Sequence, residues 1–333
     1  MSKENVILVD YDVSDDWAFR KAIENTTGTK WKIYKVISNK NHGNVLQKII
    51  RYAKYFFVPM KIAKKHKIYN KVLAWQQFYG LILAFYFSIF HLQNVPEIIV
   101  LTFIYKPKKF FVGKIYDKFM RYIVTSGYIK YYVVFSESEK KYYANYFGVS
   151  ESQFAFETLG YEDRTQEIEM SGPGKYYLAA GRSNRDYMFL VEAWSGREEQ
   201  LKIICDTLSI NSTTNIKVLT DCHDNEFFEQ LAQCYAVIVP LADINISSGQ
   251  LVIIQAMMYG KPVIVTQNNT VKDYIDAGKT GLIIEKNKTA LADAILSLKD
   301  ESYYKAISNA EREQYESKFS AYAMGNAIGK LLN

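Results

Sequence analysis

The stretch "NISSGQLVIIQAMMYGKPVIV", residues 245–265, reads as a loop, a helix, a stop and a buried strand. Ser247 is followed three residues later by Gln250, a capping-box pattern that predicts a helix start. Leu251, Ile254 and Met258 supply an apolar face at helical spacing. Gly260 and Pro262 end the helix, and Val263 to Val265 reads as a core strand. The expected first turn holds two serines, a glycine and a glutamine, without a carboxylate. Such a turn presents free N–H groups and a partial positive charge, so Asp or Glu is favoured there. An end left uncharged is open to an external anion such as a phosphate. An ordinary cap uses the same physics and is the alternative.

Working outward, strands and helices alternate. Before the quoted stretch come "YYLAAG" (strand), "RDYMFLVEAWSG" (helix), "KIICD" and "IKVLTD" (strands), "DNEFFEQLAQC" (helix) and "YAVIVPL" (buried strand). After it come "TGLIIEK" and a helix from Thr289, and the tail from Ser302 is expected to be helical to the end. The first half shows strands in "NVILVDY", "KWKIYKVIS", "PEIIVLTFI" and "YYVVFSE". A long basic, aromatic helical region is expected over 43–80, broken near Pro59. Two successive sets of β/α units predict an α/β architecture: two doubly wound, Rossmann-like domains facing a cleft. The polar, turn-rich segment 147–175 holds the boundary. The expected division is 1–160, 161–310, and a C-terminal helix over 311–333 packing back toward the first domain.

Composition narrows the class. The chain has 333 residues, 49% hydrophobic and 23% charged, enough for two domains with real cores. Cys205, Cys222 and Cys234 are the only cysteines, an odd count without paired spacing, which argues for free thiols in a reducing compartment. "MSKENVILVDYD" runs straight into a strand, the pattern expected of a chain without a secretory leader. The longest apolar run, "FYGLILAFYFSIF" over 78–90, is too short to span a bilayer. The net charge of +6 is uneven: from Lys30 through Lys40 to Lys71 the chain carries cations and no acid, and a second basic cluster runs from Lys106 through Lys109 to Arg121. The basic half faces something anionic. The helical region over 45–90 adds Tyr, Phe and Trp to these lysines, which fits a membrane interface better than a nucleic-acid surface.

Ligands of open α/β sheets sit at the carboxyl ends of strands. Ser247, Ser248, Gly249 and Gln250 follow such an end, and Gly249 lacks the Cβ that would bar a phosphate. In "AAGRSNRDY", Arg182 and Arg185 follow a strand and Gly181 at the head of a helix, where cations oppose the dipole. Diphosphate binding explains them; the alternative is two solvated arginines, with Asp186 able to pair with either. Gln255 interrupts an apolar run and needs a buried partner: a ribose hydroxyl pair or a backbone carbonyl. "DYD" places Asp10 and Asp12 at a strand end, read as a loop toward the cleft in preference to a metal site. In "DCHD", residues 221–224, adjacent groups cannot all face one ion. Tyr105 and Lys106 end another strand.

The second half resembles the donor-binding domain of GT-B glycosyltransferases, especially the retaining family 4 group. The frame is carried by "PLADINISSGQLVIIQAMMYGKPVIVT", with its Leu–Val pair, Ala–Met and Gly–x–Pro–Val, and by "AAGRSNRDY", which is similar to the family's Gly–Arg…Lys segment. By that match Ser247 stands where the family has a glutamate near the donor sugar, and Gln255 where a second holds the ribose. Both glutamates are missing, so the sugar contacts do not carry over, and Asn245 or Gln250 is the candidate for them. Ser–Ser–Gly–Gln versions resemble bacterial capsule and exopolysaccharide transferases. The resemblance implies transfer from a nucleotide sugar, UDP-linked by expectation, to a lipid-linked or growing glycan. The donor is a substrate, and neither metal nor other cofactor is expected. Arg182, Arg185 and Asn245 are the expected catalytic group, and Gly181, Ser247, Ser248, Gly249, Gln250 and Gln255 the donor-binding set. Asp10, Tyr105 and Lys106 are expected toward acceptor. Expected partners are the nucleotide sugar, the glycan acceptor and an anionic membrane surface, not nucleic acid, at the cytoplasmic face of a bacterial membrane. A non-catalytic nucleotide-sugar-binding protein of the same fold is the alternative.

Overall fold

A computed structural model describes residues 3–333 except 38–44, 109, 169–172 and 211, and leaves the side chains of 45–48 undescribed. Lys40 and Lys109 of the basic runs lie outside the described residues. The chain divides into two compact units: Met1–Glu157 with Gly325–Asn333, and Thr158–Met324.

The first unit holds β1 (Glu4–Val9), β2 (Trp31–Lys35), β3 (Tyr69–Ala74), β4 (Glu97–Val100), β5 (Ile129–Val134) and β6 (Phe154–Phe156). All pair in parallel, in the order β2-β1-β3-β4-β5-β6. Between them run α1 (Ala18–Thr27), α2 (Val45–Lys64), α3 (Gln77–Ile89), α4 (Phe110–Thr125) and α5 (Glu137–Phe147). One core gathers alternate strand residues (Val6, Leu8, Val72, Ala74) with Tyr55, Tyr79, Met120 and Tyr143 from four of the helices. Parallel strands covered on both faces read as apolar runs, which is why β1, β4 and β5 were legible. α3 lies close against the sheet at Gly80, where a Cβ would stand 2.7 Å from Val100 Cγ2.

Two expectations for 43–80 are corrected. α2 continues through Pro59, because Tyr55, Val58 and Ile62 are buried and hold both halves on one core. The stretch "YNKVLA" is β3, a central strand between β1 and β4, not helix. Its polar half, Asn70 and Lys71, hides the strand period, and pairing on both sides overrides local propensity.

The second unit holds β7 (Tyr176–Ala180), β8 (Gln200–Ile204), β9 (Ile216–Leu219), β10 (Ala236–Val239), β11 (Val263–Thr266) and β12 (Leu282–Ile284). They too are parallel, in the order β12-β11-β10-β7-β8-β9. Its helices are α6 (Tyr187–Trp194), α7 (Asp224–Ala232), α8 (Gln250–Met258), α9 (Lys288–Ser297) and α10 (Glu301–Gln314), and α11 (Ala321–Leu332) follows in the chain. Every residue of β10 and β11 is buried, with one core on each face of the sheet. The tail is not one helix: a π-helical turn at Tyr315–Phe319 and an extended Ser320 interrupt it. Tyr315 and Phe319 are fully buried, and Phe319 stacks on Tyr274, so core packing outweighs helical continuity. The chain is thus an α/β protein of two six-stranded, doubly wound parallel sheets. Among the described residues, no helix is long and apolar enough to cross a membrane.

Candidate functional site

The second sheet changes direction between β7 and β10, its topological switch point, the place where open α/β sheets take their ligands. The loop after β7 is Gly181–Asp186, and the loop after β10 runs from Pro240 to Gly249. They are tied by Asp186 N–H donating to the Pro240 carbonyl (2.7 Å) and Ala242 N–H to the Asn184 carbonyl (3.2 Å). Gly181, Arg182, Arg185, Asn245, Ser247, Ser248, Gly249 and Gln250 therefore share one switch point, with Gln255 on the helix that follows.

α8 starts at Gln250, not at Ser247. Gly249 takes the cap position with φ +94°, and no side chain caps the helix. The expected capping box is corrected: Gln250 Nε2 donates to Ser247 Oγ at 2.5 Å, a contact between side chains that leaves the backbone alone. A left-handed φ is what a glycine adopts without penalty. Among the described residues, no acceptor meets the N–H groups of Ser247, Ser248, Gly249 or Gln250. Four N–H donors without acceptors at a helix start are an arrangement able to receive an anion.

Arg185 supplies the charge. It lies in the loop before α6, whose first residue is Tyr187, so the expectation of a helix beginning at Arg185 is corrected. Asp186 caps α6 by accepting from Phe189 N–H (3.0 Å) and pairs with Lys286 (3.0 Å), with neither arginine. Arg185 is folded inward. Its Nε donates to the Ala180 carbonyl (3.0 Å) and its Nη1 to the Ser183 carbonyl (2.7 Å). Its Nη2 lies 3.0 Å from where a Cβ on Gly181 would stand, and 3.9 Å from where one on Gly249 would. No carboxylate among the described residues pairs with it, and burial lowers its pKa from the ordinary arginine value. A half-buried, uncompensated guanidinium is costly and is relieved by an anion. Arg182, by contrast, is exposed, as is Asn245, whose Oδ1 accepts from Asn269 Nδ2 (2.9 Å).

Gln255 is 6% exposed on α8. Of its two expected partners, the backbone carbonyl is not found: among the described residues its amide has no hydrogen-bond partner. The residue is largely buried, yet its amide atoms are not sealed from solvent and are open to an outside partner.

Two residues that sequence reasoning passed over shape the loop. Asn184 has φ +55°. Its Nδ2 donates to the Asp243 and Ile246 carbonyls and to Ser248 Oγ, while its Oδ1 accepts from Asp243 N–H. Asn268, 5% exposed, donates to the same two carbonyls. Asparagine in a turn is a weak signal, since it serves many turns without a ligand.

The other candidates fall elsewhere. Asp10 follows β1 at the first sheet's switch point, half-buried, with its carboxyl raised above the usual range by burial. Asp12 is exposed and paired with Lys35 at 2.9 Å. Tyr105 is 2% exposed, and its hydroxyl donates to Asp117 Oδ1 (2.5 Å), so it sits in the first core and not on a surface. Lys106 is exposed beside it. From "DCHD", Asp221 and His223 converge with Asp206, all three exposed, while Cys222 is buried and outside the group, so the four adjacent residues do not all face one point.

Residues 180–301 match the family model described as Glycosyl transferases group 1. No curated protein matches the chain. Solved structures similar to it include a glycosyltransferase from Rickettsia africae ESF-5, at 17% identity over 99% of this chain and 97% of that one, TM-score 0.64. Anabaena HepE in complex with UDP is 12% identical over 98% and 99%, TM-score 0.66. A sucrose-phosphate synthase from Thermosynechococcus elongatus is 14% identical over 99% and 98%, TM-score 0.68. The fold is that of the GT-B glycosyltransferases. The residues matched to the group 1 glycosyltransferase model, 180–301, contain the whole switch-point site.

Proposed function

We propose that this protein transfers a sugar from a nucleoside diphosphate sugar, UDP-linked, to a lipid-linked or growing glycan of a surface polysaccharide. The observation that carries the reading is Arg185: an uncompensated cation held by backbone carbonyls beneath two glycines, next to four unspent N–H groups. A diphosphate matches both features. As the bond from the anomeric carbon to the diphosphate oxygen breaks, negative charge grows on the diphosphate, and preorganised donors there stabilise it most. The acceptor hydroxyl oxygen bonds to the anomeric carbon, and its proton passes to the departing diphosphate oxygen. Arg185, Arg182 and Asn245 serve this step. Gly181, Ser247, Ser248, Gly249 and Gln250 hold the phosphates, and Gln255 takes ribose hydroxyls. Charge neutralisation by the protein makes a metal unnecessary, and retention at the anomeric carbon is the outcome that the family resemblance implies. That HepE was crystallised with UDP supports the choice of base.

Asp10 and Lys106 are proposed on the acceptor side; Tyr105, buried against Asp117 and Tyr146, is not. The first unit is proposed to rest on an anionic membrane at its cytoplasmic face. α2 exposes Ile49, Tyr52, Phe56 and Phe57 among lysines, and α4 exposes Phe110, Phe111 and Val112, Phe110 at 88%. Cations among exposed aromatics suit an anionic interface.

A second reading has one observation in its favour. Ser247 and Gln255 replace both carboxylates of the family pattern, which fits a protein that binds nucleotide sugar without turning it over. Calorimetry with UDP and a panel of UDP sugars, followed by transfer assays on lipid-linked glycans, separates the two. Binding with release of UDP supports transfer, binding without turnover on any acceptor supports the second reading, and no nucleotide binding ends both.

A further inference from the structure

The loop after β10 is held open by an arrangement that neither a cap nor a turn requires. Asn184, from the loop after β7, and Asn268, just beyond β11, approach the same loop from opposite neighbours of β10. Both side-chain amides donate to the same two carbonyls. Asn184 Nδ2 reaches Asp243 O at 3.0 Å and Ile246 O at 3.3 Å, and Asn268 Nδ2 reaches them at 3.0 and 3.1 Å. Asn184 Oδ1 also accepts from Asp243 N–H at 2.8 Å, and its amide extends to Ser248 Oγ at 3.0 Å. Asn268 is anchored in turn, its Oδ1 accepting from Thr270 N–H (2.9 Å) and Thr270 Oγ1 (2.7 Å), with Thr270 itself 2% exposed. The carbonyls of residues 243 and 246 are thus turned inward and fully engaged. In a trans peptide a carbonyl points opposite to the N–H of the next residue, so the Ile246 carbonyl fixes the direction of Ser247 N–H. With the Ile246 carbonyl held by the two asparagines, Ser247 N–H faces the other way, and it and the N–H groups of Ser248, Gly249 and Gln250 meet no acceptor among the described residues.

We infer that Asn184 and Asn268 are positioning residues of the nucleotide site, a pair that sets the 243–248 loop in its anion-accepting shape before ligand arrives. The inference rests on the reading of this site as a nucleoside diphosphate site. A loop ordered in advance does not pay its ordering entropy on binding, so the pair lowers the dissociation constant without touching ligand. Because the two amides share their acceptors, losing one lets the other hold the loop in part, and losing both releases it. The single effects on binding are then smaller than half of the double effect.

The test uses the full chain and UDP. Asn184→Ala, Asn268→Ala and the double variant are measured by calorimetry for UDP affinity and by thermal melting without ligand. Each single variant is expected to bind UDP about 5-fold more weakly, and the double variant at least 50-fold more weakly, more than the product of the singles. Asn268→Asp keeps both contacts to Thr270 but cannot donate to the two carbonyls, so it should weaken UDP binding at least as much as Asn268→Ala. It serves where the Ala variant fails to fold. Variants that melt lower yet bind UDP as the wild type does would overturn the inference and leave the pair purely structural. A wild type that binds no UDP instead removes the underlying site reading, a result visible before any variant is made.

Discussion

The two sheets have the same number of strands, but their switch points are built for opposite chemistry. In the second unit the switch point between β7 and β10 is bordered by glycines, serines and asparagines, with Arg185 beside Gly181 and, among the described residues, no carboxylate paired to it. In the first unit the reversal falls between β1 and β3. There Asp10 follows β1, its carboxyl raised by burial. Beside it Tyr11 packs edge-on to Trp17 and Trp75, with Phe19 against both tryptophans. One switch point offers positive charge and backbone donors, and the other offers an acid and aromatic faces. A shared fold therefore fixes where a ligand goes, while the side chains fix which kind. The outer surface differs as well, since the first unit exposes cations and large apolar groups on α2 and α4.

Three measurements break or sharpen this contrast. The largest effect belongs to the surface. Lys61, Lys64, Lys65 and Lys67 are all exposed. Each cation near an anionic leaflet is worth about 1 kcal/mol, so replacing all four with Gln should cut binding to anionic vesicles by two to three orders of magnitude. Added salt should mimic the change in the wild type, because screening shortens to roughly 3 Å at 1 M. UDP affinity should not move. Equal sedimentation of the wild type with neutral and anionic vesicles, or with neither, would return these lysines to solvent.

Next comes the charge at the second unit's switch point. Arg185→Ala removes a charged donor from the diphosphate, a loss of about 1.5–3 kcal/mol, or roughly 10- to 100-fold in UDP affinity. Asp10→Asn, at the other switch point, should leave UDP affinity within about 2-fold. Since Arg185 is costly to bury without its anion, the Ala variant should melt no lower than the wild type when ligand is absent. Similar losses from both substitutions would erase the distinction between the switch points.

The smallest effect tests Gln255. Gln255→Ala should weaken UDP about 5- to 10-fold, near 1–1.4 kcal/mol for hydrogen bonds to a hydroxyl pair, and leave pyrophosphate binding unchanged. Gln255→Glu should bind UDP at least as well as the wild type. A Glu variant that melts lower with UDP affinity intact would make Gln255 a packing residue.

Much of this molecule was legible because buried parallel strands leave a strong trace. "AVIV" and "VIVT" read as strands for the same reason that they are wholly buried, and the glycines around them mark the points where the backbone must turn. The sequence also determined the uncharged start of the quoted helix and the proximity of Gly181 and Arg185 in the chain. Tertiary structure decided what distance along the chain conceals. β3 became a strand through neighbours on both sides, although its own residues mix polar and apolar. Asp186 chose Lys286, a hundred residues away, over the arginines next to it. Ser247 lost the cap position to Gly249, where a φ of +94° and a space in which a Cβ would stand 3.1 Å from Val239 Cγ1 both favour glycine. The joining of Asn184 and Asn268 on one pair of carbonyls has no local signature at all. Hydrogen bonds between loops depend on which strands lie side by side, and strand order is set by the packing of the whole sheet, not by any stretch that can be read alone.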